Sequence, residues 1–141
     1  MNNMQVTLVK QSFDKVVPIA DTAASLFYAR LFEIDPSLMR LFRGDIKQQG
    51  KMLMHMIGTA VRGLDKPEAL VPVLTGLGKR HVGYGVKDEH YDTVAQALLW
   101  TLEKGLGADF TAEVREAWVA AYTLMAKVMQ QGARQAMQAA A

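Results

Sequence analysis

Apolar residues recur along this chain at helical spacing, and no segment holds the apolar–polar alternation of a strand. Val6, Val9, Phe13, Val16 and Val17 mark a first stripe, which Pro18 interrupts. Asp21 to Ile34 predicts a second helix, its stripe carried by Ala23, Ala24, Phe27, Tyr28 and Leu31. Asp35-Pro36 stops and restarts the chain, and a short helical turn follows to about Leu41. Leu53, Met56, Ile57, Ala60, Val61 and Leu64 share one face of a helix from roughly Ile46 to Leu64, ended by Asp65-Lys66-Pro67. Another helical stretch leads from about Ala69 to His81, with Pro72 near its start, and Gly83 and Gly85 then open a turn. A long helix begins at Asp88 or Glu89 with Tyr91, Val94, Leu98 and Leu102 inward, and Gly105-Leu106-Gly107 closes it. Thr111 is a credible cap for the last helix, where Val114, Ala117, Trp118, Ala121, Tyr122 and Met125 line up. Such uneven helices, without repeat or linker, predict one all-α domain over residues 1–141, built from crossed pairs rather than an up-down bundle. Residues 130–141 are Gln/Ala-rich, and the composition predicts a helical tail that frays because it has little to bury.

Composition narrows the chemistry. A net charge of +2, with Lys and Arg scattered, argues against nucleic acid or an anionic membrane surface as partner. The absence of cysteine removes disulfides, zinc–thiolate sites and thiolate-ligated haem or iron–sulfur clusters. No apolar stretch reaches the roughly twenty residues of a membrane span, and Met1-Asn2-Asn3-Met4-Gln5 is no secretory signal, so the expected location is the cytoplasm. There is no phosphate-binding glycine loop, no carboxylate cluster spaced for a metal and no nucleophile triad.

His81 is the most informative residue. A lone histidine at a helix end is more often a surface or capping group. Here Leu77 lies one turn back on the same face and offers an apolar approach to a flat cofactor, while Gly83 and Gly85 let the backbone pass close to a ring edge. Neutral imidazole is a good iron ligand, and its second nitrogen can donate to an upstream carbonyl. Tyr28 and Gln49 form a second group. A phenol O–H and a carboxamide N–H can both donate to a gas that gains partial negative charge on ferrous haem. Tyr28 could equally be a core tyrosine and Gln49 a solvated helix residue, but Gln49 shares its face with Leu53, one turn on. Phe42 is either ordinary core or a wedge against a flat ring. His55 lies off that face, and His90 reads as a capping residue.

Together these residues resemble the globin family, in particular bacterial single-domain haemoglobins and flavohaemoglobin haem domains. The resemblance rests on Leu26-Phe27-Tyr28-Ala29-Arg30-Leu31-Phe32 followed by Pro36 and Phe42, on Gln49 with Leu53, and on Lys79-Arg80-His81-Val82-Gly83-Tyr84-Gly85-Val86 with His90-Tyr91. Ala117-Trp118 with Ala121-Tyr122 completes it. It implies a three-over-three helical sandwich around haem b, with His81 as the metal ligand. It implies Tyr28 and Gln49 as donors above the ring, and a cofactor contact set of Phe42, Leu53, Leu77, Val86, Tyr91 and Val94. Flavohaemoglobins carry a flavin- and nicotinamide-binding reductase after the globin. This sequence stops before one, which implies a separate reductase for repeated turnover. Their pattern also pairs the histidine with a tyrosine and a glutamate. Tyr91 matches the tyrosine, but counting without gaps from Trp118 places Ala133 at the glutamate position, which argues against strong peroxidase-like activation.

The leading function is reversible O2 binding, for transport or storage, rather than enzymatic catalysis. The alternatives are nitric oxide dioxygenation with electrons from a separate reductase, gas sensing (with NO or CO as further ligands), and a helical protein without cofactor. A homodimer fits this class.

Overall fold

The computed structural model describes residues 1–42 and 44–140. Among the described residues six α-helices carry the fold: α1 (Asn3–Val16), α2 (Ala20–Ile34), α3 (Ile46–Arg62), α4 (Pro67–Gly83), α5 (Asp88–Leu106) and α6 (Ala112–Ala140). Short 3-10 segments at Val17–Ile19, Pro36–Leu41 and Gly107–Asp109 link them, and no strand occurs among the described residues.

Local chemistry explains the boundaries. Asn2 caps α1 by accepting from the Gln5 N–H at 2.8 Å, while the Gln5 side chain returns the bond to Asn2. Pro18 cannot donate to an i−4 carbonyl, so α1 ends at Val16 and tightens into the 3-10 segment. Asp35 and Asp45 each accept an N–H two residues on, at 3.1 and 2.9 Å, which starts the Pro36 turn and α3. Thr111 caps α6 as expected, accepting from the Val114 N–H at 3.2 Å. His90 also caps, its Nδ1 taking the Lys87 N–H at 2.9 Å. Gly107 ends α5 at φ +56°, in the half of backbone space that glycine enters freely.

The helices form two layers. α1, α3 and α4 lie on one side, and α2, α5 and α6 cross them, with the most extensive contact between α4 and α6. The core runs from Val9 and Phe13 through Phe27, Leu31, Val61, Leu98 and Leu102 to a fully buried Trp118. The Trp118 Nε1–H donates to Ser12 Oγ at 2.8 Å, and Ser12 in turn donates to the Leu8 carbonyl at 2.7 Å, so these two buried polar groups are satisfied. No helix among the described residues is long and apolar enough to cross a membrane.

Two details depart from the sequence pattern. α3 stops at Arg62 because Gly63 turns the chain, and Leu64 packs into the core from beyond the helix. Inside the expected tail, Gly132 and Ala133 are buried, so burial runs further along α6 than its composition implied. The reason at Gly132 is small size: with no side chain there, α6 approaches the α4 backbone at Thr75 directly.

Candidate functional site

α4 starts at Pro67 and continues helical through Gly83, two residues past the expected end at His81, so His81 sits within its last turn. Of Gly83 and Gly85, the second takes the left-handed backbone, at φ +87°, and the first remains helical. The Val86 N–H then donates to the His81 carbonyl at 3.1 Å and the Gly85 N–H to the Val82 carbonyl at 3.1 Å. This is a Schellman closure, and it ties Val86 back beside the histidine.

The His81 ring is fixed by its Nδ1, which lies 2.8 Å from the Leu77 carbonyl. A carbonyl only accepts, so Nδ1 carries the hydrogen, and in the neutral ring Nε2 is left with a free lone pair. Burial pushes the ring's pKa down and Arg80 adds to this, while the Leu77 bond opposes it. The neutral, ligating form is therefore the favoured one at neutral pH. The Tyr84 ring packs 5.9 Å from the imidazole, centre to centre. Leu77 is buried, and Val86 is half-buried.

The second group gathers where α2 meets the Pro36 turn and the start of α3. Tyr28 is 6% exposed and its Oη donates to the Gln49 carbonyl at 3.3 Å. The contact runs to the backbone of Gln49, not to its carboxamide, which is a finer point than side-chain spacing could give. Burial pushes the phenol's pKa up to about 12, so Tyr28 remains a donor at neutral pH. Phe42 meets the Tyr28 ring edge-on at 5.2 Å. Phe32, one turn beyond Tyr28, contacts both rings, at 6.0 Å from Tyr28 and 5.5 Å from Phe42. Its i+4 spacing was the signal available for it. Gly50 brings α3 down onto α2: a Cβ there would stand 2.9 Å from Ala24 Cβ. Leu53, one turn from Gln49, is half-buried against the core and borders an apolar cavity of about 20 Å³ shared with Phe27, Met54, Ile57, Leu98 and Trp118.

α5 contributes Tyr91 and Val94, the latter half-buried against the core. Tyr91 is 7% exposed, and its Oη has no hydrogen-bond partner. Tyr122 of α6 donates to the Tyr91 carbonyl at 2.6 Å and so fixes its backbone, not its hydroxyl. Ala133 is buried on α6 and offers no acceptor side chain. His55 is exposed. No hydrogen bond joins His81 to Tyr28 or Gln49 among the described residues; the two groups stand on different elements.

These features fit a large, flat, mostly apolar metal-bearing ring. A neutral imidazole with a free lone pair can take the metal. A buried unpartnered phenol is a costly group to leave unmatched, and it fits a polar cofactor atom. Phe42, Leu53, Val86 and Val94 are half-buried and apolar, the residue type that the walls of such a site need.

Comparison with known proteins agrees with the architecture. The globin family model matches residues 25–129. A flavohemoprotein of Xylella fastidiosa strain 9a5c is 34% identical over 127 residues, covering 88% of this chain and 32% of the relative. The chain thus spans about a third of the length of the flavohemoproteins it matches. The neuroglobin of Tetraodon nigroviridis is 30% identical over 139 residues, covering 89% of this chain and 87% of the relative. An engineered carbene transferase and proposed nitric oxide dioxygenase from Rhodothermus marinus superposes with a TM-score of 0.89 at 24% identity, covering 99% and 97% of the two chains. The chain belongs to the globin family, and that membership implies haem binding.

Proposed function

We propose that this globin holds haem b through His81 and binds O2 reversibly. The observation that carries the reading is the 2.8 Å bond from His81 Nδ1 to the Leu77 carbonyl, which orients the ring and leaves Nε2 as the free ligand atom. When bound, the haem supplies a ferrous iron at which a diatomic gas can bind. Everything else is the work of the chain. The Leu77 bond orients the imidazole, the Val86 closure anchors the turn behind it, and burial keeps it unprotonated.

Tyr28 holds a proton at Oη in a dry site, on a bond to Gln49 long enough to be given up. At 3.3 Å it lies beyond the usual range for a hydroxyl donor. A bound gas with partial negative charge is a better acceptor than that carbonyl, so the hydroxyl is placed to turn toward it. The Gln49 carboxamide is the second donor in this reading. Phe42 and Phe32 pack on the Tyr28 ring and would keep water from its hydroxyl, which would strengthen the bond it makes. Leu77, Val86 and Val94 would contact the ring, and the free Tyr91 hydroxyl would take a polar atom of the cofactor.

One observation favours a second reading. Over 88% of its length the chain is 34% identical to a flavohemoprotein. Paired with a separate reductase, the same donors would support oxidation of nitric oxide to nitrate.

Titrating the purified chain with haem tests the proposal. One equivalent should give an intense Soret band and a reversible spectral change with O2. A chain that takes up no haem would refute it. Sustained nitrate formation with a supplied reductase, well above that of a simple carrier globin, would move the assignment to the second reading.

A further inference from the structure

α4 and α6 meet through their backbones at two reciprocal points. A Cβ on Gly78 would sit 1.9 Å from the Met129 carbonyl oxygen and 2.8 Å from its Cα. A Cβ on Gly132 would sit 2.2 Å from the Thr75 carbonyl oxygen and 3.1 Å from its Cα. Thr75 and Gly78 are one turn apart on α4, and Met129 and Gly132 are one turn apart on α6. Each helix therefore offers one carbonyl to the other's bare glycine. The obstacles are main chain, so no rotamer change can make room for a side chain. The tightness is local. On the same α4, a Cβ at Gly76 would meet nothing closer than the end of the Arg80 side chain at 3.9 Å, and one at Gly83 nothing within 4 Å.

The crossing lies against the histidine. Gly78 precedes His81 by three residues, and Leu77, whose carbonyl orients the imidazole, adjoins Gly78. Helices packed through side chains tolerate small shifts by repacking; two main chains in contact do not. Whatever fixes Gly78 against Met129 therefore fixes the carbonyl that aims the ring.

We propose that the Gly78–Met129 and Gly132–Thr75 crossing sets the depth and rotation of the His81 imidazole, and that Gly78 and Gly132 are positioning residues for the axial ligand. This rests on the haem reading above. A methyl group at Gly132 needs the helices to part by about 1.2 Å to reach ordinary contact at 3.4 Å. A displacement of that size at a ligating or reacting group changes rates by about a hundredfold elsewhere.

The test uses the haem-loaded protein. In ferrous Gly132→Ala, the iron–histidine stretching band should shift and broaden, and the O2 off-rate should change by about tenfold or more. Gly76→Ala should leave both as in wild type. Ser12→Ala, destabilised away from α4, should also leave the band in place, separating positioning from loss of stability. In a His81→Gly background carrying free imidazole, the ligand is cut loose from α4, and adding Gly132→Ala should have no further effect on the band. A folded, loaded Gly132→Ala protein with the wild-type band and off-rate overturns the proposal alone. A wild-type protein without a histidine-ligated iron takes down the haem reading and this proposal together. Should Gly132→Ala fail to fold, native-state hydrogen exchange on wild-type holoprotein decides. Residues 75–81 and 129–132 should open with one free energy. A 75–81 segment that opens far more readily than 129–132 overturns the proposal.

Discussion

Replacing Tyr28 with phenylalanine removes one hydroxyl and little else. The ring keeps its edge contacts to Phe27 and Phe42, both at 5.2 Å, and its stack on Phe32 at 6.0 Å, so the aromatic cluster has no reason to rearrange. What is lost is a donor at Oη. A hydrogen bond to a charged or strongly polarised acceptor contributes about 1.5–3 kcal/mol. Against that stands the bond to the Gln49 carbonyl, which Tyr28 gives up when it turns toward the gas. At 3.3 Å that bond is long, and it belongs at the low end of neutral hydrogen bonds, about 0.5 kcal/mol. The net contribution to the gas-bound state is then about 1–2.5 kcal/mol, so Tyr28→Phe should speed O2 dissociation roughly 5- to 70-fold. Stopped-flow release of O2 into a scavenger measures it, and urea unfolding should show a stability change below about 1 kcal/mol. A loaded, folded variant whose off-rate stays within about twofold of wild type would show that the phenol does not reach the gas, and the donor argument would fail.

Further outcomes follow from the same geometry. Gly50→Ala should push α3 off α2 by about 0.5 Å, from 2.9 Å to ordinary contact at 3.4 Å, and disturb the Tyr28–Gln49 pair. Its effect on the O2 off-rate should be non-additive with Tyr28→Phe, whereas simple additivity in the double variant would deny the coupling. Ser12→Ala strands the fully buried Trp118 N–H and should cost about 1–3 kcal/mol in urea unfolding with the gas off-rate unchanged; an unmoved midpoint would contradict it. Tyr28 also gives a pH signature. Its folded pKa of about 12 lies above the ordinary 10.0, so the unfolded chain releases the proton first and wild-type stability falls as pH rises above 10. Tyr91 and Tyr122 are raised too, so the signature is read as a difference. Tyr28→Phe should lose less stability between pH 9 and 11 than wild type, and parallel curves would refute it.

The helices were legible because each has one face to bury, and the stripes at Phe27–Leu31, Leu53–Val61 and Val114–Met125 recur at helical spacing. Two contacts in the candidate site were legible: Tyr28 and Phe42 meet, and an upstream carbonyl, that of Leu77, holds the His81 ring. The backbone partner of Tyr28 was not. That Tyr28 seeks the Gln49 carbonyl depends on how Gly50 lowers α3, and no periodicity records a helix crossing. Gly78 and Gly132 lie 54 positions apart, and a glycine leaves no mark in an apolar stripe. For the same reason the tail read as having little to bury: Gly132 contributes closeness to α4 rather than apolar area.

Haem ligation in this chain comes down to one nitrogen, His81 Nε2. Spectra of haem-loaded His81→Gly, taken with and without added imidazole, test it most directly. The variant should lose the wild-type ferrous spectrum and free imidazole should restore it, because Nε2 is the atom that was removed. A His81→Gly protein whose ferric, ferrous and O2-exposed spectra match those of wild type without imidazole would contradict it.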